Sequence, residues 1–365
     1  MTMAILKVAF LFASLPLAVS AFSAENAQLN RGRLSEALLS PSGKLTLSPE
    51  IVVPEPESPT AILLQSSAVQ QLSEQMRKRA KANTAWISGS VTALKYFCNE
   101  QEQSRGNFPG PVPVIYCNLV DDLAEVADAG ACGILVRVAA GKEVTSVADL
   151  SADMAWVDTC KSALECGLQP IPEVTIGEAT AASWKEDEIS ALVDKLCELA
   201  GEDPVAVLLT VNAIKSDDNA KDEADDEADD AEPPQMSLPA VPKALGRKIP
   251  VMGSVRVSAI EDHFGDEIKR FKKAGFTGTL LRADCVPGFP KVPDLGYVAR
   301  FWSACIGDLK STRSKNFEFR AKNNMGKDLS TQWANYQADV IDSGSLGDMS
   351  DSYTPDMENG DYKGF

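Results

Sequence analysis

Residues 113–137 read PVIYCNLVDDLAEVADAGACGILVR: a β-branched apolar run, an amphipathic stretch that ends in Ala-Gly, and a second apolar run. Strand, helix and strand at this spacing form a βαβ unit, in which the two strands are parallel and the helix crosses between them. The same alternation recurs along the chain. Its repetition predicts an α/β fold, with a parallel sheet covered by helices.

Eight apolar runs qualify as strands of this sheet, at residues 61–64, 85–88, 112–116, 133–138, 169–174, 205–211, 249–255 and 278–282. Amphipathic stretches lie between them, as a surface helix requires. A (β/α)8 TIM barrel needs eight such units in about 250 residues, and we predict this barrel over residues 61–309. An open doubly wound sheet is the alternative. No Gly-x-Gly-x-x-Gly follows an early strand, so a dinucleotide-binding version is not supported.

The charge balance narrows the class of partner. The chain has 365 residues, of which 44% are hydrophobic, and a formal net charge of −17. Nucleic acids and anionic membranes need a basic face, so both are unfavourable partners. Residues 217–232 hold ten acidic residues and one lysine. We predict a disordered acidic insertion over residues 215–245, between the sixth and seventh strands.

Cysteine and histidine usage argues against a metal or a cofactor. The eight cysteines form no Cys-x-x-Cys, and most stand beside apolar residues, which is typical of buried, reduced thiols. His263 is the single histidine. Histidine-rich metal sites and Ser-His-Asp chemistry are therefore poorly supported, and we expect neither a metal site nor a cofactor.

The N-terminus has the composition of a targeting sequence. Lys7 precedes an apolar run of about 12 residues, too short for a membrane span, so residues 1–21 read as a signal peptide. Residues 22–50 are rich in Ser and Arg, like a transit peptide, and residues 51–60 form a Pro-rich spacer. This order, with Ala21-Phe22 at the junction, resembles the bipartite presequence of algae with complex plastids. It implies the plastid stroma, with secretion as the alternative.

The C-terminal tail, residues 310–365, is polar but carries aromatic residues. They are Phe317, Phe319, Trp333, Tyr336, Tyr353, Tyr362 and Phe365. Aromatic side chains in a polar tail can anchor a protein partner or pack back on the barrel. Both alternatives stay open.

The order of motifs resembles indole-3-glycerol-phosphate synthase, a ribulose-phosphate-binding barrel. The matching segments are Ala85–Ser90 with Tyr96-Phe97, Pro113–Ile115, Ala129–Ala131, Gly167–Val174 and Ala274–Leu281. The resemblance covers about residues 61–309. It implies a TIM barrel that acts on a phosphorylated sugar derivative.

Most catalytic positions that the resemblance implies are changed. Cys117 stands where the family has its general-acid lysine, and Leu64-Gln65 where it has a second lysine. Met252 falls near the family's strand-seven glutamate. Glu173 stays at a catalytic position and Asn212 near another, so these two are the candidate catalytic residues. A neutral thiol or thioether cannot replace an ammonium group as a charge-stabilising donor.

The phosphate site that the resemblance implies is altered too. Such barrels bind phosphate at the loops after strands seven and eight. Gly253 and Ser254 could offer a backbone cradle and a hydroxyl, and Arg282 a guanidinium. Alternatively, Arg282 forms an ion pair with Asp284 or Glu173.

The sequence thus predicts a plastid barrel that has lost the synthase reaction and serves as a non-catalytic binding or scaffold protein. A phosphorylated small molecule and a protein partner of the tail are the expected ligands, without nucleic acid or a membrane span. The alternatives are an active synthase, another lyase or isomerase acting on a phosphorylated sugar, and a secreted acidic binding module.

Overall fold

The computed structural model describes residues 28–39, 45–53, 55, 59–118, 122–212, 237–256, 264–282 and 295–311. They form a closed barrel of eight parallel strands in chain order, which confirms the predicted fold class. The strands are β1 (Thr46–Val53), β2 (Ala85–Gly89), β3 (Val114–Tyr116), β4 (Gly133–Arg137), β5 (Gln169–Gly177), β6 (Val207–Asn212), β7 (Val251–Arg256) and β8 (Gly278–Arg282).

Helices follow the strands around the outside of the barrel. They are α1 (28–38), α2 (Pro59–Gln75, continued by a π-helical turn at Met76–Ala80), α3 (Val91–Gln103), α4 (Leu123–Asp128), α5 (Ala155–Glu165), α6 (Glu178–Ser183), α7 (Glu186–Ala200), α8 (Phe264–Lys273) and α9 (Leu295–Ser311). Short 3-10 turns lie at Val138–Gly141, Val147–Ser151 and Leu245–Arg247. No described helix is long and apolar enough to cross a membrane.

The helix boundaries follow from local sequence. In α7, three acidic residues fill the first turn, where they favour the positive end of the helix dipole. Gly201 ends the helix in the left-handed conformation that glycine adopts at low cost. The buried residues Ile189, Leu192 and Leu196 recur at helical spacing, so one face of α7 packs inward.

The predicted first strand is wrong. Residues 61–64 lie in α2, which begins at Pro59, a residue well suited to the first helical turn. The first strand is instead β1, Thr46–Val53, which pairs with β2 on one side and with β8 on the other. The barrel therefore starts inside the segment that we assigned to a transit peptide and a spacer.

Helix α1 closes the N-terminal end of the barrel. Leu34 and Leu38 are fully buried in one apolar cluster with residues of the barrel core, including Trp86 and Ile115. Near the start of α1, the side-chain amide of Asn30 donates a 2.9 Å hydrogen bond to the carbonyl of Gly167. Residues 28–38 thus belong to the folded domain, although the sequence assigned them to the transit-peptide-like segment.

Part of the segment that we expected to be a disordered insertion between β6 and β7 belongs to the folded domain. Val241 is buried, and its N–H donates to the carbonyl of Ala274 at 2.7 Å. The expected disorder is therefore wrong for residues 237–245, which supply apolar and proline side chains to the barrel wall. The acidic run at 217–232, His263 and the tail after Ser311 lie outside the described residues.

Candidate functional site

A ring of seven polar or charged side chains and one thiol lies in the carboxyl-terminal part of the barrel, and we call it the mouth ring. Each strand contributes one residue, or the residue directly after it: Glu50, Ser88, Cys117, Arg137, Glu173, Thr210, Ser254 and Arg282. Arg282 of β8 pairs with Glu173 of β5. Because these strands are not neighbours, that contact crosses the interior of the barrel.

An apolar layer lies beneath the mouth ring. It consists of the residues two positions earlier on seven strands: Trp86, Ile115, Leu135, Ile171, Leu208, Met252 and Leu280. Since side chains alternate along a strand, residues two positions apart face the same side. The change from apolar to polar occurs at the end where TIM barrels carry their chemistry.

Arg282 is committed to two carboxylates. Its Nε donates to Glu50 Oε2 at 2.8 Å, and its Nη1 lies 3.0 Å from Glu173 Oε1. Burial alone would lower the pKa of Arg282, but Glu173 and Glu50 together raise it above its usual value. The ion pair with Glu173 that the sequence suggested is present, and a phosphate contact of Arg282 stays a prediction. Asp284 lies outside the described residues.

Glu173 is the most enclosed charge of the site, with a side chain that is 5% exposed. Besides Arg282, it accepts a hydrogen bond of 2.8 Å from the hydroxyl of Thr210. Glu173 lies at the mouth, where we expected a catalytic residue, and both of these contacts are made to its Oε1 atom.

Cys117 and Glu50 lie on either side of Ser88. Glu50 accepts a 2.6 Å hydrogen bond from the Ser88 hydroxyl. Burial, with the nearby Glu50 charge, raises the pKa of Cys117 well above its ordinary value. The group at the position of the expected lysine is thus a neutral thiol.

Asn212 lies at the rim. It is the last residue of β6, and its side-chain amide donates to Glu143 Oε1 at 3.1 Å. Glu143 lies in the chain after β4 and forms a single parallel bridge with Thr175. Asn212 therefore contacts Glu143, whereas the described hydrogen bond of Glu173 comes from Thr210 and its ion pairs come from Arg137 and Arg282.

Gly253 does not lie in a loop, as a phosphate cradle requires. It is the third residue of β7 and is in register with Leu209 on one side and Thr279 on the other. A Cβ at this position would lie 2.0 Å from the ring of Phe271, so the glycine makes room for α8. Ser254, the next residue, is buried and faces the mouth. Its hydroxyl stays a candidate ligand group.

Sequence reasoning missed Glu50, Ser88, Arg137 and Thr210 as members of the site. The available signal was the strand register: each stands two residues after an inward-facing residue of the layer below, or at the equivalent place on β1. Among the described residues, no three His, Cys, Asp or Glu side chains are grouped as a metal site.

Comparison with known proteins shows only distant likenesses. No protein-family model matches the sequence, and no curated protein matches it. Dihydropteroate synthase of Xanthomonas albilineans is 10% identical, over 72% of this chain and 93% of that chain, with a TM-score of 0.35. Tryptophan synthase of M. tuberculosis is 14% identical, over 75% and 99%, with a TM-score of 0.38. The carboxyl transferase domain of Rhizobium etli pyruvate carboxylase is 8% identical, over 77% and 49%, with a TM-score of 0.41. Likenesses this distant say nothing about activity.

Proposed function

We propose that this chain is a non-catalytic binding barrel that resembles indole-3-glycerol-phosphate synthase and does not close the indole ring. One observation carries the proposal: the more buried of the two cations of the mouth ring, Arg282, is held by Glu50 and Glu173. Ring closure needs a proton donor at the reacting oxygen and stabilisation of the charge that develops there. A guanidinium that two carboxylates already engage supplies neither.

The rest of the mouth supports the same proposal. The resemblance implies an ammonium group at the end of β3, and this chain has the neutral thiol of Cys117 there. It implies a second lysine at the end of the first strand, and β1 contains no lysine. The hydroxyl groups of Ser88, Thr210 and Ser254 are suited to holding a ligand by hydrogen bonds, which is binding without acid–base catalysis.

The test is turnover of the synthase's anilino-deoxyribulose phosphate substrate by the purified full chain. We expect no indole-3-glycerol phosphate above the uncatalysed rate, and the same result for the Glu173→Gln variant. The two proteins are matched in size, and the substitution removes the one carboxylate that stays at a catalytic position. Turnover by the wild type that Glu173→Gln abolishes would refute the proposal.

A second candidate function is a lyase or isomerase that acts on a phosphorylated sugar. The observation that favours it is the mouth ring itself, because every strand places a polar residue at the end where TIM-barrel enzymes react. Glu173 would be its acid–base residue and Ser254 a ligand contact. Consumption of any sugar phosphate from a panel, lost in Glu173→Gln, would favour this candidate over the first.

We also propose that the protein acts in the plastid stroma, with secretion as the alternative. The support is the composition of the N-terminal segment and the described cysteines, which are all unpaired. Any processing has to leave α1 in place, since Leu34 and Leu38 belong to the barrel core. Imaging of a C-terminal fluorescent fusion, followed by sequencing of its N-terminus, tests both points. The aromatic residues of the tail after Ser311 stay our candidate segment for a protein partner.

A further inference from the structure

Arg137 differs from the other cation of the mouth ring. It is the last residue of β4 and lies opposite Glu173 in the register of β4 and β5. Leu135, two positions earlier, belongs to the barrel core, so the alternation along the strand directs Arg137 into the mouth. Its side chain is 52% exposed, against 15% for Arg282. Of the two cations of the mouth ring, Arg137 is therefore the one that is more accessible to solvent.

The hydrogen-bonding capacity of Arg137 is largely unused. Its Nε lies 3.6 Å from Glu173 Oε2, which is an ion pair but too long for a hydrogen bond. Glu173 is already engaged by Arg282 and Thr210. From the residues that the structure describes, no other ion pair reaches this guanidinium. A guanidinium has five N–H donors in a planar fork, so most of them are available to a ligand.

The backbone after β4 supports the position of this side chain. Ala139 and Ala140 have φ values of 52° and 53°, and Gly141 follows at 78°, so the chain makes a left-handed turn. A Cβ on Gly141 would lie 3.7 Å from Cδ of Arg137, which places the turn against the arginine's stem. The left-handed conformation costs an alanine about 1–2 kcal/mol, and strain of this kind persists only where the surrounding structure imposes it.

We propose that Arg137 binds the anionic group, a phosphate or a carboxylate, of a small molecule held at the mouth. The planar fork of arginine matches both groups with two parallel hydrogen bonds. The inference deepens the proposed binding function and rests on it. It replaces Arg282 as the anion-recognising residue, because the donors of Arg282 are engaged by Glu50 and Glu173.

The test is thermal unfolding of the full chain with inorganic phosphate or with benzoate, at ionic strength matched by potassium chloride. A ligand that binds only the folded state raises the unfolding temperature. We expect at least one of the two anions to stabilise the wild type. We expect the same anion to bind Arg137→Ala at least about tenfold more weakly, which corresponds to about 1.4 kcal/mol of binding free energy. The control is Lys142→Ala, an exposed cation just after the same turn, which should keep the wild-type response.

Each outcome decides the inference. A shift with phosphate alone indicates a phosphorylated ligand, and a shift with benzoate alone indicates a carboxylate ligand. Either shift supports the role of Arg137 if Arg137→Ala reduces it. No shift of the wild type with either anion, or an equal shift in Arg137→Ala, overturns it. The turnover assay above is a separate measurement, so failure of this inference is distinguishable from failure of the proposed function.

Discussion

The two ends of the barrel are closed by opposite chemistry. At the N-terminal end, α1 inserts Leu34 and Leu38 into an apolar cluster. At the C-terminal end, Glu50, Glu173 and Arg282 form a partly buried ion network. Burial of leucine contributes directly to stability, whereas a buried ion pair gains little over an apolar replacement. The two ends of the barrel are therefore expected to contribute unequally to the free energy of unfolding.

The largest expected loss of stability comes from truncating the two buried leucines of α1 at the N-terminal end of the barrel. Each of Leu34→Ala and Leu38→Ala removes a fully buried side chain, and such substitutions cost about 2–5 kcal/mol each. We expect the double variant to lose at least about 4 kcal/mol in urea unfolding, with no change in anion binding. Leu29→Ala is the control, because Leu29 lies on the same helix but is 54% exposed. A loss below that of the control would show that α1 is not part of the stable core.

Breaking the ion network comes next. Arg282→Met leaves Glu50 and Glu173 facing each other without their shared cation, and we expect a loss of about 3 kcal/mol. Arg105→Met is the matched control: its partner is Glu102 and both side chains are half exposed, so the loss should stay within about 1 kcal/mol. Replacing both glutamates by glutamine in Arg282→Met should recover stability. If it does not, repulsion between the carboxylates is not the cause.

Each end of the barrel also contains a buried neutral thiol, and both thiols should affect the stability of the protein at alkaline pH. Burial raises the pKa of Cys117 at the mouth and of Cys132 near α1 above the ordinary value of 9.0. Above that pH the unfolded chain loses protons that the folded chain keeps, so stability falls as pH rises. Each thiol contributes a slope of about 1.4 kcal/mol per pH unit. Cys117→Ala and Cys132→Ala should each make the measured slope shallower, and an unchanged slope contradicts the assignment.

The smallest effect concerns the left-handed turn after β4. Ala140→Gly removes the conformational strain at a positive φ, and we expect a gain of about 0.5 kcal/mol after the entropic cost of glycine. Ala152→Gly is the control, since Ala152 is exposed and has an ordinary right-handed conformation. It should lose about 0.5 kcal/mol. Equal signs in thermal unfolding would mean that the turn is not strained.

Seven of the eight strands could be placed from the sequence because parallel strands buried on both faces are near-continuous apolar runs. β1 could not, for a physical reason. Its inward positions are Thr46, Ser48 and Glu50, and Pro49 stands within it, so it lacks both the apolar run and the usual strand composition. Residues 61–64 offered a better apolar run and belong to α2.

The candidate site was predictable where it depended on strand ends. Glu173 and Arg282 were found because they lie on recognisable strands, and their pairing was one of the stated alternatives. The ion pair between Glu50 and Arg282 could not be predicted, because the sequence placed the first strand at residues 61–64 and not at β1. Arg137 was visible at the end of β4, but its exposure and its long contact to Glu173 depend on tertiary packing.

The seam between β1 and β8 sets a condition on biosynthesis. Thr46 is in register with Gly278, so the hydrogen bonds that close the cylinder join segments that leave the ribosome far apart in time. Until β8 has been made, the nascent sheet has two open edges, and open edges are where chains pair wrongly with one another. The closing step has to wait for a partner more than two hundred residues downstream. We therefore expect the barrel to close only after β8 has been synthesised, and to do so slowly because this contact is so distant in sequence.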